Sequence, residues 1–181
     1  MLAGTSEGGQ PPDTAAPSPT TRGPLAKIDG PPPPIAPDVI ARDAQGRTTI
    51  RAVRVTAPMR VDGHLDEALY RDVRPISDLI QTEPQAGRPS TERTEFWVSF
   101  DNENLYVSVR VWESEPKRAI VNEMRRDNLN ILQNEHVAFI LDTFFDRRNS
   151  YVFMASAAGA RLDGQTANET VIQFFLLSSH P

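Results

Sequence analysis

The sequence contains no cysteine, few aromatic residues and no long apolar run. Because none of the 181 residues is cysteine, neither a disulfide framework nor thiolate chemistry is available. No apolar stretch approaches the roughly 20 residues that a membrane-spanning helix needs, so we expect no membrane span in this chain. The first residues carry neither a basic region nor an apolar stretch, and the sequence as written therefore has no signal peptide.

An excess of positive charge is also missing. The chain has 19 Lys and Arg residues against 24 Asp and Glu residues, which gives a formal net charge of −5. Without a basic field to attract phosphates, we expect no nucleic acid among the partners. No glycine-rich phosphate loop follows a predicted strand, and the three histidines lie far apart. The sequence therefore indicates neither a nucleotide site nor a nucleophilic triad.

Proline and glycine are concentrated at the amino terminus. Residues 1–38 hold 10 of the 16 prolines and 5 of the 10 glycines. Such a segment buries too little apolar surface to offset its loss of conformational entropy. We therefore interpret residues 1–47 as a disordered tail and residues 48–181 as one β-domain with a single core.

The remainder of the chain is organised around a predicted β-hairpin over residues 93–113. Apolar residues alternate with period two on both sides of a turn at Asp101–Asn104, which is typical of half-buried strands. Phe100 then lies opposite Leu105, and this register is fixed because a slip of one residue would move every apolar side chain to the other face. One face of the hairpin is aliphatic, and we expect it to be buried.

The second face of the hairpin carries both tryptophans of the chain together with charged residues. The register places Ser99 opposite Tyr106, Trp97 opposite Ser108, Glu95 opposite Arg110, and Arg93 opposite Trp112. We expect a cross-strand ion pair between Glu95 and Arg110, and stacking of Arg93 on Trp112. A face of this kind is either covered by other parts of the protein or contacts a ligand.

Short segments with turn signals between them flank the hairpin. Strands are predicted at Thr49–Val55 and Met59–Val61, followed by a short amphipathic helix over Leu65–Val73. The continuous apolar run His136–Asp142 predicts a central strand that is buried on both faces. Further strands are predicted at Tyr151–Ser156 and Ala160–Asp163.

This pattern predicts an all-β fold, an antiparallel, jelly-roll-like β-sandwich with one short helix. The final segment, Val171–Pro181, is apolar but does not alternate. It indicates a truncation or a shifted reading frame near Thr170, with the last strands of the sandwich missing. An edge left unpaired in this way predicts marginal stability.

Two carboxylates are close in sequence, at Asp142 and Asp146. They are candidates for an acid/base pair or for calcium ligands, but caps and ion pairs are the more common role of such residues. We therefore expect no cofactor, with a structural calcium ion as the one alternative.

The order of these segments resembles the family 9 carbohydrate-binding-like domain over about residues 50–168. The matching blocks are Val61–Glu67 followed by Tyr70, the hairpin Phe96–Trp112, the runs Glu135–Asp142 and Asp142–Arg148, and Tyr151–Phe153 followed by Gly159. The run Asp142–Arg148 is similar to a bacterial subgroup in which the domain precedes an outer-membrane β-barrel-like region of a larger exported protein. The resemblance implies a sandwich that binds sugars and sometimes calcium, an extracytoplasmic location at the periplasm or cell surface, and continuation into a larger protein.

The sugar contacts of the family are not reproduced here. The corresponding positions are Leu132, Ala138 and Met154, which cannot stack on or hydrogen-bond a sugar as their counterparts do. A carbohydrate contact must therefore come from elsewhere, and the candidate residues are Trp97, Tyr106, Arg110, Trp112 and Glu135. The resulting expectation is a non-catalytic module that binds polysaccharide or oligosaccharide. The alternatives are a structural or docking domain without sugar binding, and a module of a glycoside hydrolase acting on O-glycosyl bonds.

Overall fold

A computed structural model of the chain describes residues 30–167 and the backbone of residues 171–174. Nine strands and one α-helix are found in this part of the chain. In chain order they are β1 Ile40–Arg42, β2 Thr48–Ile50, β3 Val53–Arg54, α1 Ala68–Asp72, β4 Thr94–Phe100, β5 Leu105–Val111, β6 His136–Leu141, β7 Ser150–Ser156, β8 Arg161–Ala167 and β9 Val171–Phe174. Short 3₁₀ helices at Pro116–Arg118 and Leu129–Gln133 connect β5 to β6.

The strands form three sheets. β1 pairs with β2, β3–β4–β5 form a three-stranded sheet, and β6–β7–β8–β9 form a four-stranded sheet. All pairs are antiparallel except β3 with β4, which is parallel. The chain is therefore largely β with a single short helix among the described residues, while the jelly-roll-like sandwich remains a prediction.

The predicted hairpin register is confirmed. Phe100 pairs with Leu105 and Trp97 pairs with Ser108. The turn between the strands is held by Asp101, whose carboxylate accepts the backbone N–H groups of Glu103 and Asn104 at 2.8 and 2.7 Å. These hydrogen bonds, led by the one from Glu103, lower the pKa of Asp101 to about 2.

The tryptophan face of the hairpin is the more deeply buried one, and the aliphatic face is mostly half-buried. Trp97 and Ser99 are 3% and 1% exposed, whereas Leu105 and Val111 on the aliphatic face are 50% and 52% exposed. The reason is the segment around α1, which lies over the tryptophan face and places the Tyr70 ring nearly perpendicular to the Trp97 ring, with the two centroids 5.2 Å apart. An amphipathic helix needs an apolar surface to cover, and it covers this face.

Strand β6 is an edge strand, and our prediction of a central position for His136–Asp142 is wrong. Among the described strands it pairs with β7 alone, and its residues alternate between exposed and half-buried, with Ile140 64% exposed, because one of its faces is uncovered. The central strands are β7 and β8. Behind them lies a compact core in which Ile131, Ala160 and Leu162 are at most 1% exposed, with Met154 packed against them.

Several boundaries differ from the predicted ones. Thr49–Val55 forms two short strands, Met59–Val61 forms none, and helix α1 is shorter than Leu65–Val73. Strand β1 lies within residues 1–47, so regular structure begins before Thr48. At the other end, Val171–Phe174 forms a strand beside β8, while residues 168–170 and 175–181, where part of the predicted truncation falls, lie outside the described residues.

The buried carboxylate of Glu123 links stability to pH. Glu123 is 5% exposed and binds the Arg125 guanidinium through both oxygens at 3.0 and 2.9 Å. These hydrogen bonds, more than any other contact, lower the pKa of Glu123 from 4.5 to about 2.

Acid unfolding of the Glu123→Gln variant tests this link. A lowered pKa in the folded state stabilises the fold above the unfolded value of about 4.5, and this contribution disappears as the pH falls toward 2. We expect the melting temperature of Glu123→Gln to be lower than wild type at pH 7 and to fall less between pH 4.5 and 2. The exposed control Glu103→Gln should follow the wild-type profile; the same profile for Glu123→Gln would contradict the assignment.

Candidate functional site

Trp97 is enclosed by other parts of the chain. Its indole N–H donates to the carbonyl of Val73 at 3.0 Å, and Tyr70 and Arg110 lie against its ring. With 3% of its surface exposed, Trp97 has no ring face to offer a sugar. Our expectation that Trp97 forms a sugar platform is therefore corrected, and its role is to anchor the segment that covers the hairpin.

Trp112 is the tryptophan that reaches the surface. It directly follows β5, where its backbone N–H donates to the carbonyl of Arg93 at 2.9 Å, and it is 36% exposed. The Arg93 guanidinium stacks on its ring at 4.1 Å from the centroid, as the sequence predicts. This cation–π contact places a charged donor beside a partly open aromatic ring.

The charged residues beside Trp112 pair differently from the prediction. Glu95 binds Arg93, which directly precedes β4, at 2.7 Å, and the expected ion pair with Arg110 is absent from the described ion pairs. Arg110 instead donates to the carbonyl of Leu65 at 3.1 Å, with its guanidinium 5.5 Å from the Trp97 centroid and 5.8 Å from that of Trp112. Arg110 therefore lies between the buried and the exposed tryptophan.

The other two candidate sugar contacts are not part of this cluster. Tyr106 is six residues from Trp112 along an extended strand, which is a distance of about 20 Å. Its hydroxyl donates to Asp101 at 2.7 Å, and this bond raises the pKa of Tyr106 and ties it to the hairpin turn. Glu135 directly precedes β6 and lines pockets with Glu113, and Trp112 is not among the described residues that line those pockets. The structure thus brings together Trp112, Arg110 and Arg93, but neither Tyr106 nor Glu135.

Asp142 and Asp146 cap the loop between β6 and β7. Asp142 accepts the backbone N–H groups of Asp146 and Arg147 at 3.2 and 2.7 Å, and Asp146 accepts those of Arg148 and Asn149, each at 2.8 Å. The hydrogen bond from Asn149 is the main cause of the lowered pKa of Asp146. The described residues contain no group of three or more potential metal ligands, so the calcium prediction gains no support.

Sequence reasoning missed an aromatic strip on the four-stranded sheet. Phe139 of β6 and Phe153 of β7 are cross-strand partners with stacked rings 5.1 Å apart, and Tyr151 lies two residues along β7 on the same face. Phe153 and Tyr151 are 36% and 37% exposed. The alternation in Tyr151–Ser156 predicts that Tyr151 and Phe153 share one face of the strand. It does not predict which of the two faces is exposed to solvent.

Comparisons with known proteins add no relative to this picture. A scan against protein-family models, a search of curated proteins and a search of solved structures each returned no match. No described helix is long and apolar enough to cross a membrane.

Proposed function

We propose that this chain is a non-catalytic carbohydrate-binding module that holds a polysaccharide or oligosaccharide at Trp112. The observation that carries the proposal is the partly exposed indole ring with guanidinium groups beside it. By its resemblance, the module is part of a larger exported protein at the periplasm or cell surface, of the kind that accompanies glycoside hydrolases.

The chemistry of Trp112 and its neighbours suits a sugar. An indole ring offers an apolar face to the C–H face of a pyranose. The hydroxyl groups of the sugar need hydrogen-bond donors and acceptors around the edge of that ring. Arg93 and Arg110, whose guanidinium groups lie 4.1 and 5.8 Å from the Trp112 centroid, supply donors. The side chain of Arg93 is 66% exposed, so it can leave the ring when a sugar arrives and donate to a hydroxyl instead.

Affinity measurements on Trp112→Ala test the proposal. We expect saturable binding to at least one member of a panel of soluble glycans, and a loss of at least about tenfold in affinity in the variant, as for an aromatic anchor of an interface. Phe144→Ala is the matched control, because Phe144 is an aromatic residue that is 66% exposed in the loop between β6 and β7. The control should bind as wild type does. Absence of binding across the panel, or equal affinity of wild type and Trp112→Ala, would contradict the proposal.

A structural or docking domain without sugar binding is the second candidate function. It is favoured by the burial of Trp97 and by the Arg93 guanidinium that already occupies the Trp112 ring at 4.1 Å. On this alternative, Arg93 stays stacked on Trp112 and leaves no room for a sugar on the ring. Wild type and Trp112→Ala would then show the same lack of response to every glycan.

A further inference from the structure

An apolar cleft lies between the three-stranded and the four-stranded sheet. Its volume is about 610 Å³, and its walls include Val107, Val109 and Val111 of β5 and Val137 and Phe139 of β6. Cavities of roughly 300–1,000 Å³ with mainly apolar walls are typical of small-molecule sites. The cleft uses the aliphatic face of the hairpin, so it lies on the opposite face from Trp112.

One end of the cleft is acidic. Glu113 continues the face of Val111 beyond the end of β5, and Glu135 precedes Val137 on the same face of β6. Both side chains line the cleft, and both also line an adjoining pocket of about 290 Å³. The two walls therefore end in carboxylates at the same place.

These carboxylates are not neutralised by the described part of the chain. Glu135 makes no side-chain hydrogen bond or ion pair there, and Glu113 accepts one backbone N–H, from Glu115 at 2.9 Å. Arg118 lines the adjoining pocket, but it pairs with Glu115 at 2.8 Å. Neither lysine nor arginine is among the described residues that line the cleft.

The histidine at the acidic end also presents an acceptor. His136 Nδ1 lies 2.7 Å from the carbonyl oxygen of Asn134. Because a carbonyl oxygen accepts hydrogen bonds, Nδ1 carries the proton, and in the neutral ring Nε2 is left as an acceptor. The acidic end thus holds two carboxylates and an imidazole nitrogen, and all three groups suit a ligand that donates.

We infer that the cleft binds a small amphipathic primary amine. The apolar body of the ligand lies between the valines of β5 and Phe139, and its ammonium group lies at Glu113 and Glu135. An ammonium group carries three donors and a positive charge, which matches the acceptors and the negative charge at that end. A carboxylate ligand of the same length is repelled by Glu113 and Glu135 and binds more weakly.

Calorimetric titration of the 181-residue chain with n-octylamine, n-octanol and octanoate at pH 7 tests this inference. The three probes share their alkyl chain and differ in the head group, and an alkylammonium group remains charged at this pH because its pKa is about 10. We expect octylamine to bind about tenfold tighter than octanoate, with octanol between them. Added salt should weaken the binding of octylamine and leave that of octanol unchanged.

A double variant separates the head-group contribution from the apolar one. Glu113→Gln with Glu135→Gln should remove the preference for octylamine over octanol while octanol binds as before. Glu103→Gln, an exposed glutamate in the hairpin turn, should keep the preference. Equal binding of octanoate and octylamine, retention of the full preference in the double variant, or no binding of any probe below its aggregation concentration would overturn the inference. Glycan titration of Trp112→Ala is unaffected by either outcome.

Discussion

Replacing Trp97 with alanine is expected to lower the free energy of unfolding by about 3–5 kcal/mol. The substitution removes a ring that is 3% exposed, its edge contact with Tyr70, and the hydrogen bond from its indole N–H to Val73. The carbonyl of Val73 also loses its partner. Urea unfolding of wild type and variant measures the difference as a shift of the midpoint at unchanged slope.

Trp112→Ala is the matched control for this change. Both residues are tryptophans on the same face of the hairpin, but Trp112 is 36% exposed and its main contact is the stacked guanidinium of Arg93. We expect its substitution to cost about 1 kcal/mol or less, because an exposed cation–π pair contributes about 0.5–1 kcal/mol. Equal costs for the two variants would show that the segment around α1 does not cover Trp97.

Ile131→Ala, in the core beside the four-stranded sheet, is expected to lower the free energy of unfolding by about 2–5 kcal/mol. Ile131 is fully buried, and it packs with Ala160 and Leu162 against the four-stranded sheet. The surrounding strands cannot close the cavity that is left, since β7 and β8 are held on both sides. The shift of the thermal midpoint measures the loss.

The neighbouring residue provides the control for Ile131. Leu132 is 52% exposed in the same 3₁₀ helix, so Leu132→Ala removes a side chain of similar size that is half in solvent. We expect its cost to be within about 1 kcal/mol. A larger cost for Leu132→Ala than for Ile131→Ala would contradict the placement of this helix.

The hairpin shows how much of the fold can be predicted from sequence. Its register follows from alternation and from a turn whose Asp101 bonds its own backbone, and both signals are local. Which face is buried is a different question, because it depends on what covers the sheet. The spacing of Leu65, Leu69, Tyr70 and Val73 predicts an apolar helix side, but nothing local shows that this side lies on Trp97.

Strand β6 shows the corresponding limit for a single strand. A continuous apolar run is typical of a central strand, yet His136–Leu141 has a partner on one side only among the described strands. Position within a sheet is set by pairing between distant segments, and that information is not contained in the run itself. Likewise, the candidate contacts on the hairpin share one face, but their separation along β5 keeps Tyr106 away from Trp112.

The two indole N–H resonances of the chain distinguish a carbohydrate contact at Trp112 from one at Trp97. A ¹H–¹⁵N spectrum contains one indole signal for each tryptophan, and Trp97→Phe or Trp112→Phe assigns them. On addition of a bound glycan, we predict a saturable shift of the Trp112 signal, while the Trp97 signal, hydrogen-bonded to Val73, stays in place. An unmoved Trp112 signal across the glycan panel, or a shift confined to Trp97, would contradict the assignment of the carbohydrate site.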